Sequence, residues 1–344
     1  MIKAAYARHR LNFKVPSRTS REVLTYKDVW YIRLTDTSSG KSGIGECAVF
    51  PGLSCDWRED YESLIVKTCR SLTEGEKPDI ADFPSIKFGV ESAVRQLSDT
   101  QSSWHRGESS IVINGLVWMG SEEEMINRVA EKLSQGFRCI KLKIGGIDFL
   151  REIKILKAIR AEYPAEMIEL RLDANGAFSP QNALEKLEML ARYDIHSIEQ
   201  PIKQGQWKIM GEICKNSPIP IALDEELIGI NDTSKKSEML DAVKPQYIIL
   251  KPTLCGGFSG SDEWIALAQG RGINWWATSA LESNVGLDAI ADWVCGYKPT
   301  IPQGLGTGAL YTNNIPSPLT LAGENLGYAS QLTWDYSQLN WIEV

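Results

Sequence analysis

The chain has no Cys-x-x-Cys pair, and its seven cysteines are scattered singly. An odd, unpaired count supports neither a disulfide framework nor a structural zinc site. Reduced, mostly buried thiols and a cytoplasmic setting are expected. No stretch approaches the ~20 apolar residues that span a bilayer. The opening Met-Ile-Lys-Ala-Ala-Tyr-Ala-Arg-His-Arg lacks the apolar core of a secretory signal, so neither export nor a membrane partner is expected. Positive charge is in deficit: 37 Lys and Arg against 44 Asp and Glu leave a net charge of -7. That balance argues against nucleic acid as a partner but leaves room for a local basic pocket that takes a small anion. The early glycine-rich phosphate turn of a doubly wound nucleotide fold is missing. Histidine is scarce as well: His9, His105 and His196 are the only three, and none ends a candidate strand.

What is present is a rhythm. The chain has 344 residues, 43% hydrophobic and 24% charged, which suits a globular protein with a barrel and a smaller domain. The first hundred residues read as mixed: strands over 28–34 and 42–50, the second ending at Pro51-Gly52, and a helix over 85–97. The polar stretch 16–28 reads either as a solvated loop or as a lid. From about residue 110, strand and helix alternate. A strand over 111–114 precedes a helix opened by a capping box, Ser121 with Glu124, and closed at Gly136. A strand over 139–144 is followed by a helix over 149–162. A strand over 168–174 is followed by a helix capped at Ser179-Pro180. Strands near 195–199, 219–224, 247–251 and 273–278 continue the series, and a last one precedes Gly304-Leu305-Gly306-Thr307-Gly308. About eight strands in roughly 200 residues favour a (β/α) barrel over an open doubly wound sheet. The expected domains are 1–108 and the barrel 109–315, with 316–344 returning to the first.

Six charged residues end these strands. Lys141 and Lys143 lie in Cys-Ile-Lys-Leu-Lys-Ile-Gly, and Asp173 in Leu-Arg-Leu-Asp-Ala-Asn-Gly. Glu199 lies in Ser-Ile-Glu-Gln-Pro, Asp224 in Ile-Ala-Leu-Asp-Glu and Lys251 in Ile-Ile-Leu-Lys-Pro. Charge at the end of a buried strand is costly unless paired or bound to something. Alternation puts Lys141 and Lys143 on one side of their strand, and Arg171, Asp173 and Asn175 on one side of theirs. Three carboxylates with no histidine or cysteine among them suit Mg²⁺ or Mn²⁺ rather than Zn²⁺. The alternative is a buried network of carboxylate–lysine pairs. A lysine beside a metal and a second ammonium group suits proton abstraction next to a carboxylate. Lys143 fits that role with Lys141 tuning it, and Lys251 would act from the other face. A structural ion pair for Lys143 and a Schiff-base role for Lys251 are the alternatives.

Lys-x-Lys, Asp-Ala-Asn, Glu-Gln-Pro, Asp-Glu and Lys-Pro over 141–252 together resemble the muconate-lactonising subgroup of the enolase superfamily. Gly43-Ile44-Gly45-Glu46 with Pro51-Gly52-Leu53-Ser54 is similar to its capping domain. The resemblance implies an α/β fold: a modified TIM barrel, (β/α)7β, with an N-terminal α+β cap. It also implies Mg²⁺ on Asp173, Glu199 and Asp224, with Mn²⁺ substituting, and Lys143 and Lys251 as acid/base groups. The Asp-x-Asp that dipeptide epimerases carry at the eighth strand is missing, and so is the late histidine of acid-sugar dehydratases. Ser279-Ala280-Leu281-Glu282-Ser283, the Gly-Leu-Gly-Thr-Gly run and Arg171 resemble the o-succinylbenzoate synthase family. That implies dehydration of 2-succinyl-6-hydroxy-2,4-cyclohexadiene-1-carboxylate in menaquinone synthesis. Arg171, Asn175, Ser279 and Gly306 become candidate substrate contacts, and 16–28 a candidate lid. Racemisation of N-succinylamino acids is the neighbouring alternative, and a non-catalytic carboxylate-binding barrel the one from another class. A small-molecule carboxylate is the expected partner, and the sequence leaves the oligomeric state open.

Overall fold

The structure, a computed structural model, describes residues 1–18, 23–98 and 102–344. Three antiparallel strands open the chain: β1 (Ile2–Arg18), β2 (Val23–Asp36) and β3 (Ser42–Cys47). Two helices follow, α1 (Tyr61–Thr73) and α2 (Pro84–Ser98). Alternation along β2 gives the sheet two apolar faces. Trp30, Ile32 and Leu34 pack with Ile65, Ile86 and Val90 of the helices. Val29 and Tyr31 point the other way, toward Val285, Tyr311 and Ile315 of the barrel. The small residues of Gly-Ile-Gly-Glu have a packing reason: a Cβ on Gly45 would lie 1.8 Å from the Gly89 carbonyl oxygen. Only glycine lets α2 lie this close on β3.

The residues 16–28 are largely strand rather than loop. β1 and β2 pair through Arg18↔Val23 after a shift in register, and 19–22 lie outside the described residues. No described residue of that stretch borders the cavity at the strand ends.

The barrel is a seven-stranded parallel sheet. Its strands are β5 (Gly115–Val117), β6 (Cys139–Lys143), β7 (Glu169–Asp173), β8 (Ile195–Glu199), β9 (Ile221–Leu223), β10 (Tyr247–Leu250) and β11 (Asn274–Ala277). The intervening helices are α3 (Glu122–Ser134), α4 (Phe149–Glu162), α5 (Ala183–Leu190), α6 (Trp207–Asn216), α7 (Thr233–Val243) and α8 (Gly257–Gln269), with α9 (Asn284–Gly296) after the last strand. Ile140, Leu142, Leu170, Leu172, Ile198, Ile221 and Leu223 face the helices and form one continuous core. Their sequence neighbours therefore face the barrel axis. Closure comes from residues 303–304. Gln303 N donates to Val112 O at 2.8 Å and Gly304 N to Ala277 O at 2.8 Å, which takes the eighth strand's place.

Two local expectations need correction. The apolar run at 111–114 serves two sheets and not the barrel alone: Ile113 pairs in parallel with Gln303, and Asn114 N donates to Gln303 O at 2.9 Å, which closes the barrel. β4 (Ser110–Val112) pairs antiparallel with β13 (Asn325–Tyr328), itself paired with β12 (Leu319–Ala322). The barrel edge continues into β5, where Gly115↔Ile140 begins the parallel ladder with β6. Both short segments have strand-forming residues, and the available partner decides which sheet each joins. The helix after β7 begins at Ala183, not at Ser179. Asn182 uses its side chain to accept from Ser179 N at 3.1 Å, which closes a turn ahead of the helix.

β14 (Ile342–Glu343) adds an edge strand to the first sheet beside β1. All seven cysteines are unpaired, five of them buried. Among the described residues no helix is long and apolar enough to cross a membrane.

Candidate active site

Parallel register lines the charges up. Lys143 lies opposite Asp173 and Asp173 opposite Glu199, so their side chains enter the barrel at one level. Asp224 and Lys251 follow the last residues of β9 and β10. Lys141 bridges two strands, ion-paired with Asp173 Oδ2 at 3.0 Å and donating to Glu199 Oε2. Lys143 Nζ donates to Asp173 Oδ2 at 2.9 Å and to Asn175 Oδ1 at 2.8 Å. Lys251 Nζ donates to Asp224 Oδ2 at 2.5 Å. Asn175, with φ of 44°, donates onward to Glu225 Oε1 at 2.9 Å.

These groups open into one cavity. Lys141, Lys143, Asp173, Asn175, Glu225 and Lys251 form its charged floor. Leu116, Trp118, Ala280 and Leu281 form apolar walls, and Phe50 and Leu53 reach over it from the cap. Ser279 and Gly306 line it as expected. Glu199 and Asp224 sit just behind the floor, 0% and 2% exposed.

Arg171 is not there. It is fully buried, with Nε on Glu169 at 2.7 Å, Nη1 on the Pro302 carbonyl at 2.9 Å and its guanidinium over Trp276 at 4.5 Å. It braces the barrel interior and does not line the cavity.

Burial opposes ionisation of Asp173, but Lys141 and Lys143 outweigh it and hold the carboxyl below its ordinary range. Burial lowers Lys141, yet Asp173 and Glu199 more than reverse it and raise the ammonium above its usual value. Burial pushes the Glu199 carboxyl up to about 7 against the pull of Lys141. Glu225 is raised by burial and by Asp224 beside it.

Among the described residues no three Asp, Glu, His or Cys side chains form a ready-made ligand cluster. The lysines stand between the carboxylates instead. The donor set nonetheless fits a hard divalent cation: it is all oxygen, and Glu199 Oε1 and Glu225 Oε2 are buried without a hydrogen-bond partner.

Three contributors escaped the sequence reading. Glu225 sits beside Asp224 in the same motif, and that adjacency was its only signal. Gln200 of Glu-Gln-Pro is fully buried with φ of 37°; its Oε1 accepts from Asp224 N at 3.3 Å and Glu226 N at 3.2 Å. It fixes the turn that carries the third carboxylate. Trp118 lies just beyond a strand placed too early, and its ring is 5.7 Å from the Lys143 ammonium.

The enolase C-terminal domain-like family model matches residues 124–319, more than half of the chain. The o-succinylbenzoate synthase of Desulfotalea psychrophila is 44% identical over 95% of this chain and 99% of its own. The chain belongs to the o-succinylbenzoate synthase family. The crystal structure of MenC from the same organism superposes with a TM-score of 0.84 at 42% identity, again covering 95% of this chain and 99% of that one. The L-Ala-D/L-Glu epimerase of Bacillus subtilis superposes almost as well, with a TM-score of 0.83 and 20% identity over 95% of this chain and 96% of that one. That second likeness shows the shared barrel and cap alone. Of the charged residues at the strand ends, Lys141, Lys143, Asp173 and Lys251 line the cavity, and Glu199 and Asp224 lie behind it.

Proposed function

We propose that this chain is an o-succinylbenzoate synthase, a lyase that dehydrates 2-succinyl-6-hydroxy-2,4-cyclohexadiene-1-carboxylate. The observation that carries the reading is the pair Lys143 and Lys251, which enter one cavity from strands on opposite sides of the Asp173–Glu199–Asp224 row. Asp173, Glu199 and Asp224 would hold Mg²⁺, with Mn²⁺ as a substitute. A divalent ion there lowers the energy of a carboxylate whose adjacent carbon loses its proton.

The chain's own residues do the rest. Lys143 takes the ring proton beside the carboxylate; Asn175 and Asp173 fix its amine at the cavity floor. The C–O bond to the 6-hydroxyl then breaks, and Lys143 returns the proton on the same face so that water leaves. The electron pair of the broken C–H bond becomes the last double bond of the aromatic ring. Lys251 stays charged on the other face and offsets the negative charge that builds up in between. Leu116 and Trp118 exclude water from the ring, while Ser279, Leu281 and the backbone at Gly306 face the succinyl tail. The cap spans 1–108 and the barrel 109–315, with 316–344 returning to the cap, in a cytoplasmic enzyme.

Two lysines on opposite faces also suit racemisation of an N-succinylamino acid, so the test uses both substrates. The purified protein should form the aromatic product, read by ultraviolet absorbance. A chelator should abolish turnover, and Mg²⁺ or Mn²⁺ should restore it. Full activity in the chelator rules out the metal role. Racemisation without dehydration rules out the synthase reading.

A further inference from the structure

The cavity wall at 279–281 is held in a conformation it would not adopt alone. Leu281 lies in the left-handed region, φ 62°, with its side chain lining the cavity. A branched residue there is strained and persists only where its surroundings over-determine it. The surroundings do so from three directions. Leu281 N donates to Ser279 Oγ at 3.0 Å, and Leu281 O accepts from Tyr311 Oη at 2.7 Å. The third comes from the cap: Lys27 of β2, 4% exposed, donates to Ala280 O at 2.8 Å and to Leu281 O at 3.1 Å. The next residues are held by the cap as well. Glu46 at the end of β3 accepts from Ser283 N at 2.9 Å and Gly286 N at 2.9 Å, at the start of α9.

A buried lysine whose hydrogen bonds go to two backbone carbonyls, with the Phe50 ring 5.4 Å away and the Glu46 and Glu282 carboxylates only partly offsetting its burial, is an expensive way to fasten two domains, because its ammonium must be desolvated. What the ammonium adds is direction: it draws two successive carbonyls to one point and so sets the twist of the wall between them. We infer that Lys27 is a positioning residue: from the cap it holds Ala280 and Leu281 in the strained conformation that shapes the cavity wall for the part of the substrate remote from the reacting carbon. It touches no substrate itself. Loss of a remote contact weakens ground state and transition state alike, so KM should rise while kcat holds.

The inference rests on the proposed synthase reaction only for its kinetic readout. Lys27→Met should raise KM by about tenfold and leave kcat within about threefold. Amide exchange should quicken in the segment 279–287 while the cap sheet keeps its protection. In a Leu281→Gly background, where the left-handed backbone is unstrained, the KM penalty of Lys27→Met should shrink to under about twofold. An unchanged KM, an undiminished penalty in that background, or equal quickening throughout the cap overturns the inference. If Lys27→Met does not fold, Tyr311→Phe, which removes only the other side-chain donor to Leu281 O, should give the same KM rise and the same local exchange. Failure of both to appear overturns it too. If the wild-type protein does not dehydrate the substrate, the synthase reading fails by itself, and the exchange comparison still decides the role of Lys27.

Discussion

Lys141 and Arg171 sit directly opposite each other in the β6–β7 ladder, at one depth in the barrel. Their side chains nevertheless go opposite ways. Lys141 reaches up to Asp173 and Glu199, and Arg171 reaches down to Glu169 and the Pro302 carbonyl. Alternation tells which face of a strand a residue occupies. A long side chain then chooses its end of the barrel by the partners it finds, which the local sequence does not contain. Lys143 is one layer nearer the cavity, and both its partners lie there. Lys143→Ala should therefore lower turnover by about 10² to 10⁴-fold, the range for loss of a general base. Circular dichroism and thermal midpoint should stay close to wild type. Turnover within a few-fold of wild type would remove Lys143 from the proton transfer.

Elements with a complete local signal formed where the sequence puts them. α3 has its full capping box: Ser121 accepts from Glu124 N at 3.3 Å, and Glu124 Oε2 accepts from Ser121 N at 2.8 Å. Three acidic residues in its first turn add to the cap's effect. Ser121→Ala should cost about 1 kcal/mol in urea unfolding, as exposed N-caps do. A loss indistinguishable from zero would mean that tertiary packing alone holds that helix end. Where the signal was incomplete, a neighbour decided. Ser179-Pro180 has the composition of a helix start, but Asn182 closes a turn there and delays α5. The run at 111–114 is strand-like whichever sheet receives it, and it is shared: Ile111 and Val112 pair with β13, and Ile113 pairs with Gln303 at the barrel's closure.

At the scale of the molecule, cap and barrel meet through buried polar groups as well as apolar ones. Glu46 ends a strand of the cap and is 0% exposed among backbone donors of α9. Burial pushes its carboxyl from 4.5 up to about 7, with Lys27 and Ser283 only partly compensating. Between these values the folded protein keeps a proton that the unfolded chain has released. Its contribution to stability therefore falls as pH rises from about 4.5 to about 7 and is level above that. Glu46→Gln should remove this component. Relative to the variant, wild type should lose on the order of 1 kcal/mol for each pH unit crossed in that window. Parallel stability curves for the two proteins across it would show that Glu46 does not titrate there.

The sequence by itself determined the chemistry and the frame that presents it. Period-2 alternation, strand-to-strand spacing and charges at strand ends are short-range properties, and a parallel barrel converts equal spacing into equal height. The tertiary structure alone decided what stands across from each charge. It sent Arg171 below the cavity, put Glu225 and Trp118 around it, and set Gln200 behind the third carboxylate. It also brought Lys27 to within 2.8 Å of Ala280 O across 253 positions of chain. Contacts of that kind have no signature in any local window, because they exist only once both sheets have closed on one another.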